Sequence, residues 1–281
     1  MKVLKSSAFL FLISLSAASW AAERVVAVGG DITEIVFALG EGHRMVANDS
    51  TSVYPAAAAT LPKVGYVRQL SAEGVLSVEP DLLLISGAAG PPAALELLEG
   101  SGVDIVAMET AYDVDAIIAK TRTVAAALDA EQAGAEMIAK IEADWASARD
   151  AIGSGLEQRM LFFAAPPRGA PRAAGRDTAA QGIIDMLGGE NVFADHTGYK
   201  PLSLEAAVAA DPDLILVMHH HADLMGGLQA VLEHPALSLT SAAQAGRVYL
   251  VDPVTVMQFG PRTPAAVAQL AAEITGDQAQ P

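Results

Sequence analysis

The sequence predicts an α/β protein of two lobes with parallel sheets, joined by one long α-helix. Three observations carry that prediction. They are an internal duplication, an alternation of short apolar runs with helical stretches, and a proline-free segment between the two copies. The duplication is plainest in Leu70-Ser-Ala-Glu73-Gly-Val-Leu-Ser-Val-Glu-Pro80-Asp81-Leu-Leu-Leu-Ile85 and Leu202-Ser-Leu-Glu205-Ala-Ala-Val-Ala-Ala-Asp-Pro212-Asp213-Leu-Ile-Leu-Val217. Each run reads as a Ser N-cap, a short helix, a Pro-Asp turn and a buried strand. A Gly-Tyr pair precedes each one, Gly65-Tyr66 and Gly198-Tyr199. Upstream, the segments 30–40 and 175–188 both look like a loop entering a helix that ends at Gly.

In chain order, residues 1–21 read as a signal peptide. Lys2 and Lys5 are its positive end, and Ala8 to Leu15 is an apolar core too short to span a bilayer. Ser19-Trp20-Ala21 offers small residues to a peptidase, and cleavage is expected after Ala21. No Cys precedes that cut, so no lipid anchor is expected. The N-terminal lobe is expected over 22–129, with strands at Val25–Val28, Leu82–Ile85 and Ile105–Met108. Val114 to Gly153 lacks Pro, and Asp129-Ala-Glu-Gln marks a break between two helices. The second of these, over 130–152, is the connecting helix. It sets Ala133, Met137, Ile141 and Trp145 on one face. The C-terminal lobe, 153–281, is expected to carry strands at Met160–Ala164, Leu214–Met218 and Val248–Val251. Parallel α/β sheets bind ligands at the carboxyl ends of their strands. Two facing lobes therefore place the site in the cleft between them.

The bulk chemistry narrows the function. Apolar residues make up 52% of the 281-residue chain, enough for two cores. A formal charge of -16 repels phosphates and argues against nucleic acid. With no cysteine there is no disulfide, thiolate metal site or Cys nucleophile. Gly-x-Ser-x-Gly, a phosphate loop and His-Glu-x-x-His are absent, so no motif supports catalysis.

The candidate binding residues lie in loops. In an extended Gly65-Tyr66-Val67-Arg68, Tyr66 and Arg68 share a face. A guanidinium favours a phenolate, and a phenolate is a hard oxygen donor suited to Fe(III). Tyr199, followed by Lys200, is the equivalent residue of the second copy. A packing tyrosine with a surface arginine is the plain alternative for Tyr66, and structural capping of the cleft is the alternative for Tyr199. His219-His220-His221 at a strand end could hold a metal or a second ligand, although neighbours in a strand point to opposite faces. Arg168, Arg172 and Arg176 form a local basic exception that suits an anionic ligand. Arg262 in Phe259-Gly260-Pro261-Arg262 is of the same kind. Glu73 and Glu205 match across the duplication. They suit either a two-fold symmetric partner carrying cations or simple helix-start chemistry.

These residues resemble the haemin-binding periplasmic proteins of bacterial haem ABC importers (the HmuT type), within the class III binding-protein family that also includes vitamin B12 and siderophore binders. The likeness runs over nearly the whole chain after the signal. It includes 65–74, 89–92, 174–180, 187–192, 198–203 and 259–263. It implies two Rossmann-like lobes and a transported cargo of haem b, Fe(III) protoporphyrin IX. Tyr66 would be the axial iron ligand and Arg68 its support; the loop residues Arg168, Arg176, Tyr199, His219, His220, His221 and Arg262, read from their positions, are the further candidates around such a pocket. Glu73 and Glu205 would dock a monomeric periplasmic carrier on an inner-membrane permease dimer, downstream of an outer-membrane haem receptor system. Some relatives carry a His in the loop before Ala-Gly-Arg, where this chain has Ala165-Pro166-Pro167-Arg168-Gly169. Cobalamin, an iron siderophore or a metal ion in the same fold is the competing cargo. An exported haem-dependent enzyme or sensor is the competing class.

Overall fold

The computed structural model describes residues 22–166 and 169–278. The expected signal peptide and Arg168 lie outside the described residues.

The first lobe is built on a four-stranded, fully parallel sheet. Strand β1 (Val25–Val28) leads into α1 (Gly30–Ala38), β2 (Met45–Asn48) and α2 (Ala56–Ala59). A hairpin of β3 (Gly65–Tyr66) and β4 (Gln69–Leu70) follows, then α3 (Ala72–Leu76), β5 (Leu82–Ser86), α4 (Pro92–Glu99) and β6 (Asp104–Met108). The sheet order is β2-β1-β5-β6. Its central strands are apolar from Val25 to Val28 and from Leu82 to Ile85 because both faces are covered. Val25, Ala27, Leu82 and Leu84 pack with Ile32, Ile35 and Val124 on one side. Val26, Val28, Leu83 and Ile85 pack with Leu70, Val75 and Leu98 on the other.

Helices α5 (Val114–Ala127) and α6 (Glu131–Ile152) leave this lobe. They break at Asp129, which takes a positive φ of 54°. The predicted face of α6 spans both lobes. Ala133 and Met137 pack on the first core, while Met137, Trp145 and the buried Ile141 pack on the second. One helix is thus anchored in two cores, which makes it a stiff link.

The second lobe runs β7 (Arg159–Ala164), β8 (Arg172–Ala174), α7 (Ala179–Met186), β9 (Glu190–Asn191), β10 (Tyr199–Pro201) and α8 (Leu204–Ala210). Then come β11 (Leu214–Met218), α9 (His219–Met225), α10 (Leu228–Leu232), α11 (Ser241–Gln244), β12 (Val248–Val251) and α12 (Thr263–Gln278). The expectation of a parallel sheet holds only in part here. The strands β9, β7, β11 and β12 are parallel, but β8 runs antiparallel to both β7 and β10. The connection 165–171 is too short for a crossover helix, so β8 can only fold back on β7.

The lobes are tied across their junction by buried polar contacts. Asp31 and Glu34 stand one turn apart on α1. Lys120 from α5 forms an ion pair with Asp31, and its ammonium also donates to the Phe259 carbonyl of the second lobe at 3.0 Å. Arg262 reaches back from the second lobe to grip Glu34 through two hydrogen bonds of 3.0 and 2.8 Å. Its guanidinium also lies 3.5 Å from the centre of the Tyr54 ring. Gln258 Nε2 donates to the Thr51 carbonyl at 3.2 Å. Lys120 and Asp31 are both buried, so removing one strands the charge of the other. Lys120→Met is expected to lower the unfolding free energy in urea by about 3 kcal/mol. Adding Asp31→Asn should recover part of that loss. An unchanged midpoint in the single variant would show that the tie contributes nothing.

Candidate functional site

A cavity of 430 Å³ opens between the lobes, where the strand ends meet. Gly29, Ser86 and Glu109, at or just past the ends of β1, β5 and β6, line it from the first lobe. Pro253 just after β12, and His220 in the first turn after β11, line it from the second. This is the strand-end position expected of α/β sheets. Asp31 and Lys120 also line it, so the interlobe tie forms part of the cavity wall.

Tyr66, Val67 and Arg68 contribute one edge together. The expected extended segment is instead a hairpin with Val67 and Arg68 at its turn. Gly65 makes this possible. It takes φ 118°, and an added Cβ would sit 3.0 Å from the Gln69 carbonyl. Gly90 clamps the hairpin from outside: its N–H donates to the Val67 carbonyl at 3.0 Å, and its carbonyl accepts from Leu70 N–H at 2.7 Å. Tyr66 keeps 40% of its surface exposed, so its ring is presented rather than packed.

Tyr199 comes from β10 of the other lobe. Burial of its hydroxyl pushes its pKa up to about 12; nearby Tyr112 adds to the rise and Arg68 opposes it. Tyr199 therefore stands close to Arg68 but is held as a neutral phenol.

The remaining candidates separate. His220 lines the cavity, whereas His219 and His221 do not. The triple histidine is not a strand continuation: α9 begins at His219, so the side chains leave in three directions. Among the described residues, no group of three or more His, Cys, Asp or Glu could hold a metal ion. Arg176 sits outside the cavity, its guanidinium donating to the Ala194 carbonyl at 2.5 Å. Arg172 is exposed on β8. Arg262 is committed to the interlobe tie with Glu34. Glu73 and Glu205 are exposed in the first turns of α3 and α8. Both helices carry the predicted Ser caps: Ser71 Oγ accepts from Gly74 N–H at 3.0 Å and Ser203 Oγ from Ala206 N–H at 3.2 Å.

Sequence reasoning missed Asp31, Glu109, Tyr112, Lys120 and Gln258 as cavity residues. Tyr112 packs edge-on against the fully buried Phe259, at 5.3 Å between ring centres. Lys120 carried no distinguishing signal, because Thr121, Arg122 and Thr123 follow it in α5.

The family model described as periplasmic binding protein matches residues 25–255. The chain belongs to the periplasmic binding protein family. Among solved structures, the periplasmic heme-binding protein BhuT, in complex with two hemes, is 39% identical. That match covers 91% of this chain and 99% of BhuT, with a TM-score of 0.86. The periplasmic heme-binding protein RhuT from Roseiflexus sp. RS-1, in apo form, is 37% identical over 91% of this chain and 98% of its own, with a TM-score of 0.85. A vitamin B12-binding protein of Vibrio vulnificus is 29% identical over 96% of both chains. An uncharacterized ABC transporter substrate-binding lipoprotein of Bacillus subtilis is 26% identical over 91% of this chain and 81% of its own length. As a member of this family, the protein is a periplasmic substrate-binding component of an ABC transporter, and a permease is its partner.

The histidines give the protein a pH dependence. Burial, with His220 beside it, lowers the His221 pKa to about 4. Burial also lowers His234. The unfolded chain takes up protons near the ordinary histidine value while folded His221 resists them. The stabilisation is thus complete above about pH 6.5 and falls away as the pH drops toward 4. Urea midpoints should therefore decline from pH 7.5 to 5. His221→Asn should flatten the decline, with His234 supplying what remains. An identical slope in the variant would contradict this.

Proposed function

We propose that this substrate-binding protein carries ferric haem from the periplasm to its permease, with Tyr66 as the axial iron ligand. The observation that carries the reading is the hairpin presenting Tyr66 and Arg68 together at the wall of the interlobe cavity. A phenolate oxygen is a known haem iron ligand, and a neighbouring guanidinium favours the anionic form. Tyr199, the rival phenol, is disfavoured by its raised pKa. The higher identity to the two heme-binding proteins than to the B12-binding relative points the same way.

Cobalamin is the second reading, favoured by the B12-binding relative that matches over 96% of the chain. A cobalamin already carries its own axial base on one face of its cobalt, so its binding does not require a tyrosine ligand. Tyr66→Ala distinguishes the two. On the haem reading, the variant loses the tyrosinate-type ferric spectrum seen with haemin and binds haemin at least tenfold more weakly. An unchanged spectrum and affinity would overturn the assignment.

Glu73 and Glu205 are proposed to dock the carrier on the permease. Each opens a Ser-capped helix, one per lobe, and both carboxylates are exposed. The Glu205 carboxyl is held below the usual carboxylate range by its own backbone N–H and by Ser203, so it is charged throughout the neutral range. Two such charges suit a two-fold partner carrying arginine or lysine. Reversing both to Lys should reduce uptake through the permease severalfold and leave haemin affinity unchanged. Equal uptake by the double variant would contradict docking through these residues.

A further inference from the structure

Gln258 belongs to the second lobe, in the loop between β12 and α12, yet its side chain reaches the first lobe while lining the cavity. Its amide donates to the Thr51 carbonyl and lies against Gly30. A Cβ added to Gly30 would sit 2.2 Å from Gln258 Oε1 and 2.6 Å from its Cδ. Gly30 opens α1 in ordinary helical geometry, so what its missing side chain provides is room for Gln258. Both ends of this crossbar are braced. On the first lobe, the fully buried carboxylate of Asp49 accepts the N–H groups of Gly29 at 3.0 Å and Thr51 at 2.8 Å, which fixes the backbone where Gln258 lands. On the second lobe, the next residue, Phe259, takes a φ of 55°, which is uncommon for a bulky side chain. Burial of its ring and the Lys120 ammonium on its carbonyl hold it there. A costly backbone conformation kept by its surroundings points to a use. Here the use is to aim Gln258 across the junction.

We propose that Gln258 is a specificity-determining residue, a crossbar that sets the depth of the cleft and so limits the size of macrocycle it accepts. The inference rests on the haem reading of the cleft. An axial ligand meets iron along the normal to the macrocycle. A porphyrin held by Tyr66 from the first-lobe wall therefore stands between the lobes with its edges pointing along the cleft. Gln258 touches both lobes, so it lies in the path of an edge rather than against a face. It also lies at the tied end of the cavity, next to the Lys120 contact with Phe259. The ties hold the lobe separation, and the crossbar then limits how far an edge can enter. Gly30 is part of the same device, because any side chain there would displace Gln258.

The test compares the full exported chain as wild type, Gln258→Ala, Gly30→Ala and the double variant. Each is titrated with haemin and with ferric tetrakis(4-sulfonatophenyl)porphyrin, whose aryl groups lengthen every edge. None of the substitutions changes charge, so the effect of the sulfonates cancels between variants. Wild type should prefer haemin. Gln258→Ala should bind haemin about fivefold more weakly, through loss of one interlobe hydrogen bond. It should bind the longer porphyrin as well as wild type or better, so the preference falls. Gly30→Ala should reproduce both changes, yet add nothing in the Gln258→Ala background, where the new methyl group has room. A preference for haemin that is undiminished in Gln258→Ala would overturn the proposal, as would a Gly30→Ala effect that persists in full in the double variant. Failure of the haem reading itself looks different, since wild type would then bind no haemin or Tyr66→Ala would leave the tyrosinate spectrum intact.

Discussion

The buried ammonium of Lys120 is the constraint on which the rest of this structure depends. It neutralises Asp31 at the start of α1 and donates to the Phe259 carbonyl of the opposite lobe. Asp31 lies in the same lobe as Lys120, so parting the lobes would take the Phe259 carbonyl from this buried ammonium and leave it with Asp31 alone. Arg262 and Glu34 repeat the device one turn further along α1. With α6 embedded in both cores, these ties hold the lobes at a set separation. The cleft is thus a preformed cavity, and its wall includes the tie itself. Preorganisation of this kind spares the protein the entropy of closing around its cargo.

The same rigidity explains how the cavity can be chemically asymmetric although the fold is duplicated. Both copies carry Gly-Tyr before a Ser-capped helix. In the first copy, a hairpin clamped by Gly90 pushes the tyrosine out to the cavity edge. In the second, the tyrosine belongs to β10, a strand paired with β8, and its hydroxyl is desolvated. The two matching tyrosines thus differ: Tyr66 is presented at the cavity edge, and the hydroxyl of Tyr199 is desolvated.

Much of the fold was legible in the sequence because it rests on local periodicity. The break at Asp129, the Ser71 and Ser203 caps and the α6 face follow from capping chemistry and helical spacing. The antiparallel β8 was not legible, because its three residues carry too little pattern to reveal a direction. For the site, Tyr66, Arg68 and His220 were visible as polar residues in loops at strand ends. Arg262 misled, since a guanidinium near the cleft in sequence is in fact spent on Glu34. Lys120, Asp31 and Gln258 stayed hidden because each finds its partner more than eighty positions away in the chain. The direction of the three histidines also depended on whether β11 continued or a helix began at His219.

The choice of cargo is the central claim, and a direct equilibrium titration tests it best. The apo-protein would be titrated with haemin and with cyanocobalamin under one set of conditions, following the visible spectrum. Saturable haemin binding with a tyrosinate-type ferric spectrum, and no cobalamin binding at the same concentrations, is the predicted result. Tight cobalamin binding, with haemin taken up only weakly and without that spectrum, would contradict it.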